Sequence, residues 1–247
     1  MLPASTQAAS ASVPAFISVV VPTYKEVDGI GPLVRYLQEA TQGDNALEII
    51  VADADSPDGT AAAARQAGAR VVQCSRKGRA TQLNCGARHA TGDILYFLHA
   101  DTYPPVGFNQ EIRAAVKQGS GAGCYRLAFD HPSWFLKVNA WFTRFSLELF
   151  RFGDQSLFAR RELFSQIGGY REDMLVLEDQ EITRRLRRVA PFQILPGPIV
   201  TSARKYRENG VWRLQSIYYL ITMLHRLGAS QQSLVNLYRT MIRQDKV

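Results

Sequence analysis

The sequence predicts an α/β fold with a mostly parallel central sheet flanked by helices, and three of its features carry that prediction. From Phe16 onward, short β-branched runs alternate with stretches of helix-forming composition. These stretches are long enough to be right-handed crossovers, which parallel neighbours require. Polar, acidic clusters recur where the runs end, and an open α/β sheet keeps its ligand outside the carboxyl ends of its strands.

Residues 1–15 are rich in Ala and Ser and carry no Lys or Arg. They lack the charged start of a secretory signal and are expected to be a flexible leader. Strands are then predicted at Ile17 to Val21, Glu48 to Asp53, Arg70 to Cys74 and Ile94 to Leu98, with helices at Gly31 to Ala40, Thr60 to Ala67 and Ala80 to Ala90. The second half is less regular. It contains an aromatic stretch from Trp134 to Phe152, a joint at Gly153-Asp154 and a turn at Gly168-Gly169. A charged helix from Glu178 to Val189 is closed by Pro191, and two more helices are expected near Val211 to Leu227 and Gln231 to Ile242. The economical division is one domain over 16–208, with 209–247 as a C-terminal helical extension packed on it.

With 46% hydrophobic and 21% charged residues in 247, the chain has the composition of a globular protein with a sizeable core. No run reaches the roughly 18 to 20 apolar residues that span a bilayer. Cys74, Cys85 and Cys124 form no C-x-x-C unit and cannot all pair, which favours a reduced, cytoplasmic setting and buried thiols. Cys85 and His89 have ligand spacing on a predicted helix but lack a second pair, so a structural zinc site is not expected.

The net charge of +7 is uneven: 11 basic against 12 acidic residues through Asp130, then 18 against 10. A basic half suits a phosphate-bearing partner, although a solvated basic face would have the same composition. No GxxxxGK[ST] loop is present, and Gly119-Ser120-Gly121-Ala122-Gly123 is followed by Cys124 where a dinucleotide fingerprint needs its third glycine. A P-loop ATPase and a dinucleotide dehydrogenase are thereby disfavoured.

The strand ends carry Pro22-Thr23-Tyr24-Lys25-Glu26, Asp53-Ala54-Asp55-Ser56 and His99-Ala100-Asp101-Thr102. Converging carboxylates repel one another unless a cation or a hydrogen-bonding ligand compensates them. Asp101, leaving a buried run, is placed to hold Mg²⁺ or Mn²⁺ together with phosphate oxygens; capping the helix after Pro104 is its structural alternative. Asp53 is placed to accept hydrogen bonds from a ligand, whereas Asp58 reads as a helix N-cap and Asp55 as a turn residue. Glu178-Asp179 opens a helix that ends in arginines, an arrangement the helix dipole alone would also favour.

Taken together these segments resemble the inverting nucleotide-sugar glycosyltransferases of family 2, which have the GT-A fold, over about Phe16 to Pro198. Ile17 to Glu26 looks like the family's opening strand and nucleotide-contacting turn, which implies donor contacts from Pro22, Thr23, Tyr24 and Glu26. Asp53-Ala54-Asp55-Ser56-Pro57-Asp58-Gly59-Thr60 is similar to its DDGSxDGT segment, making Asp53 the uracil-side contact. Lys77 and Arg79 begin the helix that lines the nucleotide pocket. His99-Ala100-Asp101 occupies the place of the metal-binding DxD, with His99 where the first Asp usually stands, so the metal would rest mainly on Asp101. Gly168-Gly169-Tyr170 resembles the GGF-like turn, and Glu178-Asp179 the ED motif, which implies Asp179 as the catalytic base with Glu178 beside it.

The family's late histidine ligand has no evident counterpart. Arg204 and Lys205, with Arg207, are cations able to neutralise the diphosphate directly. Asp154 and Gln155 are placed on the acceptor side. His99 to Thr102, Gly153 to Gln155 and Thr201 to Arg204 also resemble a bacterial subgroup associated with arsenosugar and selenium-related pathways. The resemblance implies a hexosyl donor on a nucleoside diphosphate, most simply UDP, and a small-molecule, glycan or lipid-linked acceptor. A nucleotidyltransferase of similar fold is the nearest alternative, but it needs a glycine-rich basic signature that Pro22 to Glu26 does not supply. A non-catalytic nucleotide or nucleic-acid binding protein is the other, and it leaves Asp53, Asp101 and Asp179 without a reason to converge; nucleic acid is not the expected partner.

Trp134, Phe135, Val138, Trp141, Phe142, Phe145, Leu149 and Phe152 recur at helical spacing, with Lys137, Arg144 and Arg151 on one flank. Such a helix suits an anionic membrane surface at the inner face of the membrane, core packing or a homodimer interface.

Overall fold

The computed structural model describes residues 15–145 and 153–243. The expected leader, apart from Ala15, and the far end of the aromatic stretch, including Leu149, Arg151 and Phe152, lie outside the described residues.

The first half follows the predicted alternation. Strand β1 (Ile17–Thr23) leads to helix α1 (Val27–Ala40), β2 (Leu47–Asp53), α2 (Thr60–Gln66), β3 (Arg70–Gln73), α3 (Arg79–His89) and β4 (Ile94–Phe97). Next come the two-residue β5 (Thr102–Tyr103), α4 (Phe108–Lys117), β6 (Ala122–Phe129) and α5 (Trp134–Phe142). A 3-10 turn at Gly153–Gln155 precedes β7 (Leu157–Arg160), α6 (Arg161–Gln166), α7 (Glu178–Val189) and β8 (Phe192–Thr201). Helices α8 (Arg204–Asn209), α9 (Val211–Arg226) and α10 (Gln231–Met241) follow.

The strands form one sheet in the order β3-β2-β1-β4-β7-β6-β8-β5. Pairing is parallel from β3 through β4 and again between β6 and β8, while β7 runs antiparallel to both its neighbours. Alternate residues of β1 face opposite sides, as the two-residue strand period requires. Val19 and Val21 share a core cluster with Leu33 and Leu37 of α1 and with Phe108 and Ile112 of α4, whereas Val20 shares another with Leu83 of α3 and with Ile182 and Leu186 of α7. The sheet is thus covered on both faces, as a parallel sheet must be. A third cluster joins Leu136 of α5 to Leu214, Ile217 and Ile221 of α9 and Leu234 of α10. Cys74, Cys85 and Cys124 are all buried, as expected.

Helix α3 sits close against the sheet because Gly86 has no side chain: a Cβ there would lie 2.4 Å from Val20 Cγ1. That close approach keeps the start of α3 at the carboxyl ends of β1 and β2, where the predicted clusters emerge.

Candidate active site

Register brings the first two clusters together. Thr23 stands beside Asp53 at the ends of β1 and β2, and its hydroxyl donates to Asp53 Oδ1 at 2.9 Å. The Ser56 hydroxyl donates to the same oxygen at 2.6 Å and the Ser56 amide to Oδ2 at 2.9 Å. Asp53 has no exposed surface. Its carboxylate therefore closes the turn after β2, and a base edge reaches it only if that turn opens. Gln82, from α3, donates to the carbonyls of Thr23 at 2.7 Å and Ala52 at 2.9 Å, tying both strand ends to the helix.

Asp58 lies one residue ahead of the α2 N-cap, which is Gly59. Its carboxylate accepts from the Thr60 amide at 3.1 Å and the Val27 amide at 3.3 Å, so it links two helix starts instead of capping one. Pro22 and Tyr24 are half-buried along the same edge, and Lys77 Nζ stands 3.7 Å from the centre of the Tyr24 ring. The Glu26 amide donates to Thr60 Oγ1 at 2.9 Å, so the turn after β1 is fixed to the start of α2.

Two residues beyond Lys77, at the start of α3, lies a cluster of charges. Arg79 Nη1 is 2.9 Å from Glu178 Oε1 and 3.2 Å from Asp179 Oδ2. A cation at the start of α3 opposes that helix's dipole, whereas two carboxylates at the start of α7 are favoured by theirs; the ion pairs offset the first with the second. Glu178, foremost, and Asp179 hold the Arg79 guanidinium firmly protonated. Burial pushes the Glu178 carboxyl above its ordinary range, against the pull of Arg79. Asp179 is more open than Glu178, with 18% of its side chain exposed against 3%.

His99, just past β4, places Nδ1 3.0 Å from Asp154 Oδ1 in the 3-10 turn. Burial opposes ionisation of Asp154, but the His99 hydrogen bond and charge, with Lys205 and Arg79, hold its carboxyl below the usual range. Lys205 thus contributes to this cluster from α8, while Arg204 lies 3.9 Å from Glu208 on its own helix. Gln155 is buried and donates to the Tyr125 carbonyl at 3.2 Å, so it anchors the turn.

Asp101 follows the buried Ala100 and does not cap α4, whose N-cap is Gly107. Its carbonyl accepts from the Ser202 amide at 3.1 Å, joining the β4 end to the segment before α8. Among the described residues no three His, Cys, Asp or Glu side chains group as metal ligands. A hard divalent cation can nevertheless be bound by one carboxylate together with phosphate oxygens. Asp101 therefore fits a cation that arrives with a diphosphate, not a cation held by protein side chains alone.

Backbone conformation singles out the same place. Five non-glycine residues among those described have positive φ, and Lys25, Asp55, Ser156 and Leu177 adjoin the segments that supply this crevice. Leu177, at φ 64, immediately precedes Glu178 and sets the direction in which α7 begins. Asn84, which is not among the residues the sequence singles out, holds the end of the Gly168-Gly169 turn through reciprocal 2.9 Å hydrogen bonds with the backbone of Tyr170.

A family model for glycosyl transferase family 2 matches residues 18–171. The chain belongs to that family. A dolichol-phosphate mannosyltransferase of Pyrococcus furiosus is 31% identical over 109 residues, covering 42% of this chain and 31% of that protein. An undecaprenyl-phosphate 4-deoxy-4-formamido-L-arabinose transferase of Sodalis glossinidius is 31% identical over 130 residues, covering 49% and 40%. The chain thus spans less than half the length of each of these two relatives. In structure, it resembles a mannosyltransferase of Pyrobaculum calidifontis solved with GDP-Man and Mn²⁺, with a TM-score of 0.68 at 22% identity, over 92% of this chain and 70% of that one. The fold of this family 2 chain is therefore GT-A, as the sequence predicts.

Proposed function

We propose that this protein transfers a sugar from a nucleoside diphosphate sugar to a hydroxyl acceptor, with inversion. The observation that carries the reading is the meeting of Arg79, Glu178 and Asp179 beside the carboxyl ends of β1, β2 and β4. Pro22, Thr23, Tyr24, Glu26, Asp53 and Lys77 frame the nucleotide side, with Thr23 and Asp53 acting through the shape of the turn. Arg79, Arg204 and Lys205 supply positive charge for the diphosphate, and a divalent cation at Asp101 would add Lewis-acid stabilisation of the leaving group. His99 and Ala100 border that place, and Asp154 and Gln155 form the acceptor side.

Asp179 is the general base. As the acceptor oxygen bonds to the anomeric carbon, its proton passes to the Asp179 carboxylate and the bond from that carbon to the diphosphate breaks. Attack opposite the leaving group gives inversion. Glu178 holds Arg79 in place. The supporting unit is residues 16–208, with 209–247 packed on it, and membership of the arsenosugar- and selenium-associated subgroup belongs to this same proposal.

Asp179→Asn keeps the shape of the side chain and removes its basicity. Transfer should fall by at least about 10²-fold, while donor binding, measured by calorimetry, stays near the wild-type value. Wild-type turnover in this variant would remove Asp179 from the role of base.

A further inference from the structure

We infer that α5 and α9 form a docking face for an anionic lipid bilayer. On α5, Leu136, Asn139 and Ala140 are buried, whereas Trp134, Val138 and Trp141 are exposed at i, i+4 and i+7 on the opposite side. On α9, Leu214, Ile217 and Ile221 are buried, and Trp212 and Met223 lie on the outward side, continued by Leu227 just past the helix. Trp134 is 66% exposed, Trp212 59% and Leu227 76%.

The two helices pack side by side, and their exposed stripes meet at two tryptophans. Trp134 and Trp212 have ring centres 5.9 Å apart, and Tyr219 donates to Asn139 Oδ1 at 2.8 Å. All three tryptophans of the chain lie here. Charge favours one occupant over another: residues 134–145 and 211–227 hold Lys137, Arg144, Arg213 and Arg226 and no Asp or Glu. A second copy would meet the same positive charge, whereas anionic headgroups complement it and the apolar rings enter the headgroup boundary. No helix among the described residues is long and apolar enough to cross a membrane, so this is contact with a surface.

Neither donor nor acceptor is needed to test this docking face. Tryptophan emission of the full chain is recorded while vesicles of phosphatidylglycerol and phosphatidylcholine, or of phosphatidylcholine alone, are added. The expected result is a blue shift and co-sedimentation with the anionic vesicles, weakened by salt. Trp134→Ser combined with Trp141→Ser should reduce co-sedimentation by at least about tenfold, with circular dichroism verifying the fold. Lys137→Glu with Arg144→Glu should weaken it independently. No blue shift on anionic vesicles, co-sedimentation unchanged in both double variants, or a response only to an oligonucleotide or to protein concentration would overturn the inference.

Discussion

The carboxylate at the end of β2 and those at the start of α7 are held on different terms. Asp53 is closed in by Thr23 and Ser56, and its hydrogen bonds maintain the turn. Glu178 and Asp179 instead face the partly exposed Arg79 from one helix start to another, so their main partner is a charge and not a turn. The difference teaches that a carboxylate at a strand or helix end can be structural or chemical, and that its partners decide which.

Substitutions at the two places should therefore fail in different ways. The largest stability effect belongs to Asp53→Ala: losing its charged hydrogen bonds and leaving the buried Thr23 hydroxyl without its acceptor should cost about 3 kcal/mol in urea unfolding. A loss of transfer in that variant with stability intact would erase the contrast.

Arg79→Met tests the other place and should lower transfer by about 10²-fold, or roughly 2.7 kcal/mol of barrier. It also has a defined pH signature. Burial already holds the folded-state Glu178 carboxyl above its ordinary range, and without the Arg79 cation it would be raised further. Over the interval between the two folded-state values the variant binds more protons than the wild type, so its stability relative to wild type should fall as pH rises above the wild type's already raised Glu178 value. Unfolding at several pH values checks the sign.

Gly169→Ala should cost about 2 kcal/mol, because φ is 68° and the new Cβ would lie 2.7 Å from Asn84 Oδ1. Asp154→Asn should have the smallest effect, under about 1 kcal/mol for a pair that meets solvent. The Asp154 carboxyl is held below its ordinary range, so its contribution is present above that range and is lost on acidification through the lowered value. The difference between variant and wild type should accordingly vanish in strong acid.

Some of this is legible in the sequence, and the rest is hidden for physical reasons. Strands β1 to β4 are rich in β-branched and aromatic residues and end in turn signals, so their places agree with expectation within a few residues. Strand β6 begins Ala-Gly-Cys, and β8 contains Pro196 and Pro198 beside a register shift opposite Tyr125 and Arg126, so neither has the composition of a central strand. The charged residues at the strand ends are legible one by one. The His99 to Asp154 contact, which spans 55 residues, and the Asn84 to Tyr170 pair depend on tertiary structure. One signal for Gln82 and Asn84 is available: Ala80, Cys85, Gly86 and Ala87 mark α3 as buried nearly all round, and polar side chains on such a helix need partners.

The most direct test of nucleotide-sugar transfer at this crevice is calorimetric titration of the full chain with UDP, GDP and their common sugars, with and without Mn²⁺, in wild type and Asp101→Ala. Saturable binding of a nucleoside diphosphate sugar is expected, strengthened by Mn²⁺ and weakened by the substitution. Folded wild-type protein that binds none of these nucleotides in either condition would contradict it.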